Sequence, residues 1–134
     1  MAILHHHTSA DNIHTITLQT DRIIEKLSTQ QIIEALVWIS EQFNLSDKQQ
    51  LRVIIDLSCF HLLPLRNLAI ELRRFYEQEE NINTKIALVV QPALVEVLNT
   101  MTRTYVKRDS IQLFTQLDKA ELWLTLQNTS TISA

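Results

Sequence analysis

The spacing of hydrophobic and polar residues along the chain alternates between the period of strands and the period of helices. In NIHTITL (residues 12–18), threonines alternate with isoleucine and leucine, which predicts a half-buried strand. After the polar turn QTD, RIIEKL (22–27) is predicted to be the returning strand of a hairpin. LRVIIDL (51–57) and KIALVV (85–90) are almost continuously apolar, which is typical of central strands covered on both faces. SIQLF (110–114) predicts a short final strand.

Helical periodicity fills the segments between these strands. Ser28 followed by Gln31 is a capping-box pattern, and the apolar stripe behind it predicts a helix from about residue 29 to 44. Pro64 and Pro92 are placed to begin the next two helices, where the missing N–H of proline costs no hydrogen bond. A fourth helix is predicted after the last strand. Its apolar face is formed by Ala120, Trp123 and Leu124.

The predicted order of elements is β-β-α-β-α-β-α-β-α. Repeated strand–helix alternation indicates an α/β fold with a mostly parallel sheet, to which the N-terminal hairpin adds an antiparallel edge. We expect a single domain over residues 12–126, with a flexible leader at 1–11 and a polar, flexible tail at 127–134.

The absence of glycine restricts the chemistry open to this chain. A chain of 134 residues has no glycine, whereas average usage would give roughly nine. Loops that cradle phosphates need glycine where the backbone approaches the ligand or takes a positive φ. The Walker A loop, the dinucleotide-binding fingerprint, the kinase glycine loop and the nucleophile elbow are therefore excluded. Turns must rely on Asn, Asp, Ser and Pro.

Charge and cysteine content favour an ordinary protein of the cytoplasm. The net charge is −3, which gives no general attraction to nucleic acid or to anionic membranes. A single cysteine rules out an internal disulfide and fits a reducing compartment. No apolar run approaches the roughly 20 residues that span a bilayer, and the N-terminus lacks the pattern of an export signal.

Three histidines, His5, His6 and His7, stand next to one another near the N-terminus. Adjacent histidines can bind metal, but on a flexible leader they are more often incidental or the remnant of an expression tag. We therefore predict no metal site and no cofactor.

The segment IIDLSCFHLLPLRNL joins a buried strand to a helix, the junction at which α/β proteins usually handle ligands. Cys59 and His61 could form a nucleophilic pair, but no third residue that would orient the histidine stands out, so no catalytic residue is predicted. Ser58 is a candidate phosphorylation site, although a hydroxyl after a strand is commonly a turn former. Asp56 is expected to cap the local turn through its carboxylate. Arg66 could bind an anion beside the free N–H groups of the helix N-terminus.

Aromatic and basic residues outside this segment leave two interpretations open. Trp38 lies at the edge of the apolar stripe of the first helix, where an exposed aromatic would favour a partner or dimer surface. The alternative is that Trp38 and Trp123 are both partly buried core residues. RTYVKR (103–108) has the composition of a nucleic-acid-binding patch, but a solvated helix end is the preferred interpretation in this acidic chain.

The strand VIIDLS with its following helix, and the closing segment IQLFTQLDKAELWL, resemble the STAS domain, the fold of bacterial anti-sigma factor antagonists. The closing segment is similar to the F-x-x-x-x-x-A-x-x-W-L ending of a sporulation-antagonist-like branch, and the resemblance covers residues 12–126. In signalling members, a partner kinase phosphorylates a serine within D-S-S-G-L, and the phosphate breaks the partner interface. Here the corresponding residues are PLRNL, so Leu65 or Arg66 replaces the serine and Asn67 replaces the glycine. The resemblance therefore implies a STAS fold that lacks regulation by phosphorylation of this serine.

From these observations we predict a non-enzymatic regulatory or scaffold module that binds a protein partner or a second copy of itself, without binding nucleic acid or entering a membrane. One alternative is a small anionic or lipidic ligand held between the sheet and the helices, and another is an enzyme that uses Cys59 and His61. The residues predicted to contact the partner or ligand are Ser58, His61, Arg66, Asn67 and Arg73.

Overall fold

The computed structural model describes residues 3–9, 12–19, 28–46, 51–60, 63–78, 84–105 and 110–133. The strands are β1 (Ile3–Thr8), β2 (Ile13–Gln19), β3 (Arg52–Asp56), β4 (Lys85–Val89) and β5 (Ile111–Phe114). The helices are α1 (Thr29–Ser46), α2 (Leu65–Glu77), α3 (Val95–Tyr105, preceded by a 3-10 turn at Pro92–Leu94) and α4 (Leu117–Ser133).

The five strands form one mixed sheet in the order β1-β2-β3-β4-β5. β1 pairs with β2 in antiparallel orientation, and the other three pairings are parallel. The prediction of an α/β fold with a mostly parallel sheet and an antiparallel edge is therefore confirmed.

Two hydrophobic layers enclose the sheet because side chains alternate between its faces along each strand. On one face, Val53 and Ile55 pack with buried residues of α1, α2 and α3. On the other face, Ile54 packs with Ala120 and Leu124 of α4. Burial on both faces explains why β3 and β4 are nearly continuous apolar runs. The predicted apolar face of α4 is confirmed.

The hairpin forms from a different segment than the sequence pattern predicts. The antiparallel partner of β2 is β1, with Ile3 opposite Gln19 and Thr8 opposite His14. Residues 3–8 therefore belong to the sheet, and their assignment to a flexible leader is wrong. A polar edge strand is held by backbone hydrogen bonds and shows no apolar alternation, so the pattern could not reveal it. The predicted returning strand at 22–27 lies outside the described residues.

Local signals in the sequence correspond closely to the helix and turn ends. The Ser28 N–H donates to Gln31 Oε1 and the Gln31 N–H donates to Ser28 Oγ, each at 3.2 Å, so the capping box is confirmed. In the β1–β2 turn, Asn12 takes a positive φ of 61°, the conformation that glycine would otherwise supply. Pro64 is the residue just before α2 rather than its first helical residue.

Helix α4 continues to Ser133, beyond the predicted domain end at residue 126. The apolar repeat that predicted this helix does not continue into QNTSTIS (127–133), whereas the helical backbone does. No helix in the described part of the chain is both long enough and apolar enough to cross a lipid bilayer.

Candidate functional site

The turn that follows β3 is organised by Asp56. Its Oδ1 atom accepts a hydrogen bond from the Ser58 N–H at 3.0 Å and another from the Ser58 hydroxyl at 2.6 Å. This is an Asx-type turn, in which a side-chain carboxylate replaces a backbone carbonyl. The expected role of Asp56 as a turn cap is therefore confirmed.

Contacts with β4 and with the start of α3 fix the same turn from the other side. The Leu57 N–H donates to the Val89 carbonyl at 2.8 Å, and the side-chain amide of Gln91 donates to the Ser58 carbonyl. Phe60 is fully buried two residues farther on. The half-buried Ser58 hydroxyl is thus engaged with a carboxylate, and a phosphate on it would face like charge and break the turn.

Cys59 is a free, solvent-exposed cysteine beside this turn. His61, its suggested catalytic partner, lies outside the described residues, so the pairing stays a prediction. Within the described ranges, no group of three or more His, Cys, Asp or Glu residues is arranged to hold a metal ion.

The first turn of α2 presents two of the predicted contact residues to solvent. Arg66 and Asn67 are both exposed. The Asn67 side-chain amide donates to Thr29 Oγ1 at 3.0 Å, which joins the first turns of α2 and α1.

Arg73 lies two helical turns beyond Arg66, about 10 Å along the axis of α2. Its Nε donates to Glu77 Oε1 at 3.0 Å in an exposed pair one turn apart. The predicted residues that the structure describes therefore do not converge on a pocket. Instead, Arg66 and Arg73 share the outer face of α2. Ser58 lies in the turn after β3, at the end of the sheet where α2 begins.

Helix α2 is the middle helix of the layer on its face of the sheet, with α1 on one side and α3 on the other. A shallow groove separates the outer surfaces of α1 and α2. Apolar residues of α1 form one wall, and Val37 is 51% exposed there. The groove is lined by Ile33, Leu36, Val37, Ser40, Glu71, Arg74, Phe75 and Gln78. Sequence reasoning missed this groove, although Ile33 and Val37 widen the apolar stripe of α1 beyond what one core face needs.

The interior between the sheet and helices α1 and α2 is closely packed. The cavity there is lined only by apolar side chains and measures about 10 Å³, the size of about one water molecule. A lipidic ligand between the sheet and these helices would need a different arrangement of the layer.

A second polar cluster, which sequence reasoning also missed, lies at the β1 edge of the sheet. His6 Nε2 and His14 Nδ1 are 3.2 Å apart, and both rings contact the indole of Trp38. Trp38 and Trp123 are each partly buried, which confirms the interpretation of both as partial core residues. Side chains of the basic segment 103–108 lie outside the described part of the structure.

Comparison with models of known protein families finds no match for this chain, and no curated protein is detectably similar to it in sequence.

Proposed function

We propose that this chain is a STAS-like regulatory or scaffold module that is not an enzyme. It binds another protein, or a second copy of itself, through the outer face of α2 and the turn before that helix. The observation that carries this proposal is the position of α2, in the middle of its helical layer with Arg66, Asn67 and Arg73 exposed. A partner that covers the centre of this face of the molecule would contact α2.

The chemistry of the α2 surface supports binding rather than catalysis. Arginine is enriched at protein interfaces because its planar guanidinium can form bidentate hydrogen bonds and stack on other side chains. The groove between α1 and α2 adds an apolar strip whose charged lining residues are Glu71 and Arg74. A polar rim around a small apolar centre is the common anatomy of a transient interface.

The proposed module works without the serine phosphorylation switch. The positions at the start of α2 hold Leu65, Arg66 and Asn67, none of which is a serine. The nearby Ser58 hydroxyl donates to Asp56 and is not free to accept a phosphoryl group without losing that contact. Partner release would then depend on concentration or on competition, not on phosphate.

The proposal is tested by comparing the full chain with R66E/R73E and with K119E, a charge-reversal control on another helix. Lys119 is exposed on α4, on the opposite side of the sheet. Light scattering across a concentration series measures self-association, and quantitative capture from an extract of the native organism measures partner binding. We expect R66E/R73E to lose the dimer or a reproducible partner that K119E retains. A monomer whose capture profile is the same for all three proteins would contradict the proposal.

The same variants distinguish the partner-binding proposal from the alternative of a small anionic ligand. Native mass spectrometry of protein purified without denaturation would show a small anion retained by the wild type and by K119E but lost from R66E/R73E. Retention of such an anion by a strictly monomeric wild type would replace the partner-binding proposal.

A further inference from the structure

Side chains as well as backbone hydrogen bonds join β1 to β2 at the outer edge of the sheet. In the antiparallel register, Thr8 lies opposite His14 and His6 lies opposite Ile16, so the two histidines and Thr8 share one face of the hairpin. His6 Nε2 is 3.2 Å from His14 Nδ1. Thr8 Oγ1 lies 3.1 Å from the first nitrogen and 3.2 Å from the second.

The two imidazole rings meet edge to edge. Their planes differ by 15° and their centroids are 5.4 Å apart, whereas the two nearest nitrogens are only 3.2 Å apart. These distances agree only if the nitrogens point toward each other with the rings nearly in one plane. One nitrogen must then donate its N–H while the other accepts through its lone pair, which requires at least one neutral ring. Two protonated rings would direct two N–H groups at each other.

The surroundings of the pair offer no described counter-charge for a second proton. From α1, the group facing the rings is the uncharged indole of Trp38, with centroids 4.3 Å from His6 and 5.9 Å from His14. The carboxylates described on α1, Glu34 and Glu41, are exposed and form no described hydrogen bond or ion pair with either ring.

The other titratable groups on these strands are also histidines. His5 and His7 point to the opposite face of β1, by strand alternation. Burial lowers the pKa of His14, and the neighbouring His6 lowers it further. Partial desolvation of its otherwise exposed ring, together with the nearby His7, lowers the pKa of His6 in the same direction. Both effects oppose charging the pair.

We propose that the His6–His14 contact makes β1 an acid-sensitive edge strand, which stays paired with β2 near neutral pH and separates when both rings become protonated. Among the strands that the structure describes, β1 has a neighbour on one side only, and the side chains of residues 5–8 are exposed. An edge element with few buried contacts can open while the rest of the sheet stays folded. Opening would leave the N–H and C=O groups along the outer side of β2 unpaired, the kind of edge to which another strand can add.

The direction of the pH effect follows from proton binding. The closed pair binds fewer protons than freely solvated histidines, whose pKa is about 6.5. The closed state is therefore fully favoured above that pH and loses its advantage as pH falls below it. If opening takes up one additional proton, the equilibrium constant for opening increases by about tenfold for each unit by which the pH falls.

The test is amide hydrogen exchange on the full chain between pH 7.5 and pH 5, corrected for the intrinsic pH dependence of exchange. Amides of β4 serve as the internal reference because β4 is buried between two other strands. We compare the wild type with H6Q and H14Q, and with H5Q as the matched control on the opposite face of β1. Wild type and H5Q should lose protection in β1 below about pH 6.5, while β4 stays protected. H6Q and H14Q should show a clearly smaller change with pH.

Because His6 is exposed, H6Q is expected to fold even if the substitution at the buried His14 prevents folding. H6Q then decides the question alone. The proposal is wrong if β1 protection in the wild type is independent of pH, or if H6Q keeps the full pH dependence. Loss of protection in β1 and β4 together would also overturn it, since the acid effect would then be global unfolding rather than release of an edge strand.

Discussion

Arg52 at the start of β3 donates from Nη1 to the main-chain carbonyl of Leu124 in α4, at 3.3 Å. The two residues are 72 positions apart in the sequence, and both are buried. The contact joins the final helix to a central strand of the sheet. A guanidinium that is taken out of water must make such hydrogen bonds, because an uncompensated buried charge is strongly destabilising.

Replacing Arg52 by Met should destabilise the protein by about 1–3 kcal/mol, because the apolar stem is kept while the hydrogen bond to α4 is lost. The free energy of unfolding measured with urea checks this value. R73M is the matched control, since Arg73 is exposed and its pair with Glu77 lies at the surface. We expect R73M to stay close to the wild type. Equal effects of the two substitutions would contradict a structural role for Arg52.

Substitution of Tyr76 by Phe should cost about 1–2 kcal/mol. The Tyr76 hydroxyl lies 2.7 Å from the Thr84 carbonyl and 3.0 Å from the Ser110 carbonyl, and its hydrogen is donated between them. It therefore anchors the end of α2 to the segments that lead into β4 and β5. Urea unfolding with an unchanged dependence on denaturant would show that only stability is altered. A Y76F protein as stable as the wild type would show that these hydrogen bonds do not stabilise the fold.

The same tyrosine should make stability fall at alkaline pH. Burial raises the pKa of Tyr76 well above its ordinary value of 10.0, so the folded protein holds a neutral phenol where the unfolded chain ionises. Stability is then fully present below about pH 10 and decreases above it, by up to about 1.4 kcal/mol per pH unit for this one proton. Unfolding curves at several alkaline pH values should show this decrease in the wild type and a smaller one in Y76F.

Removal of the Asp56 carboxylate should weaken the turn after β3. D56A loses the acceptor for both the N–H and the hydroxyl of Ser58 and should cost about 1–2 kcal/mol, whereas S58A loses only the hydroxyl bond and should cost less. D56N keeps an acceptor oxygen and should recover part of the loss. A smaller loss of unfolding free energy in S58A than in D56A would support this turn. A larger loss in S58A would contradict it.

The N-terminus of α1 depends on Ser28. S28A removes the side-chain acceptor for the Gln31 N–H and should destabilise the protein by about 1 kcal/mol. S28D retains a capping oxygen and is the conservative control, so it should stay near the wild type. Circular dichroism during thermal unfolding measures both. Identical midpoints for S28A and the wild type would show that the cap contributes nothing to stability.

Elements whose signals are local could be predicted from the order of amino acids alone. The continuous apolar runs of β3 and β4 predict burial on both faces, because both faces of these strands meet the same apolar core. Ser28 and Gln31 predict the start of α1, because the capping contacts lie within a few residues of one another. The absence of glycine excluded whole classes of phosphate-binding loop for the same reason, since those loops need it at defined positions. The turn-capping role of Asp56 was also within reach of local reasoning.

The segment that completes the sheet, and the side chains that meet across it, depend on how the elements pack in three dimensions. β1 is a polar edge strand, and backbone pairing that needs no apolar side chains leaves no pattern to find in HHHT. The meeting of His6 with His14, and of Arg52 with Leu124, depends on strand register and on the docking of α4 across the sheet. The first contact exists only through the pairing of β1 with β2, and the second joins residues 72 positions apart, so no spacing within a single element could specify them.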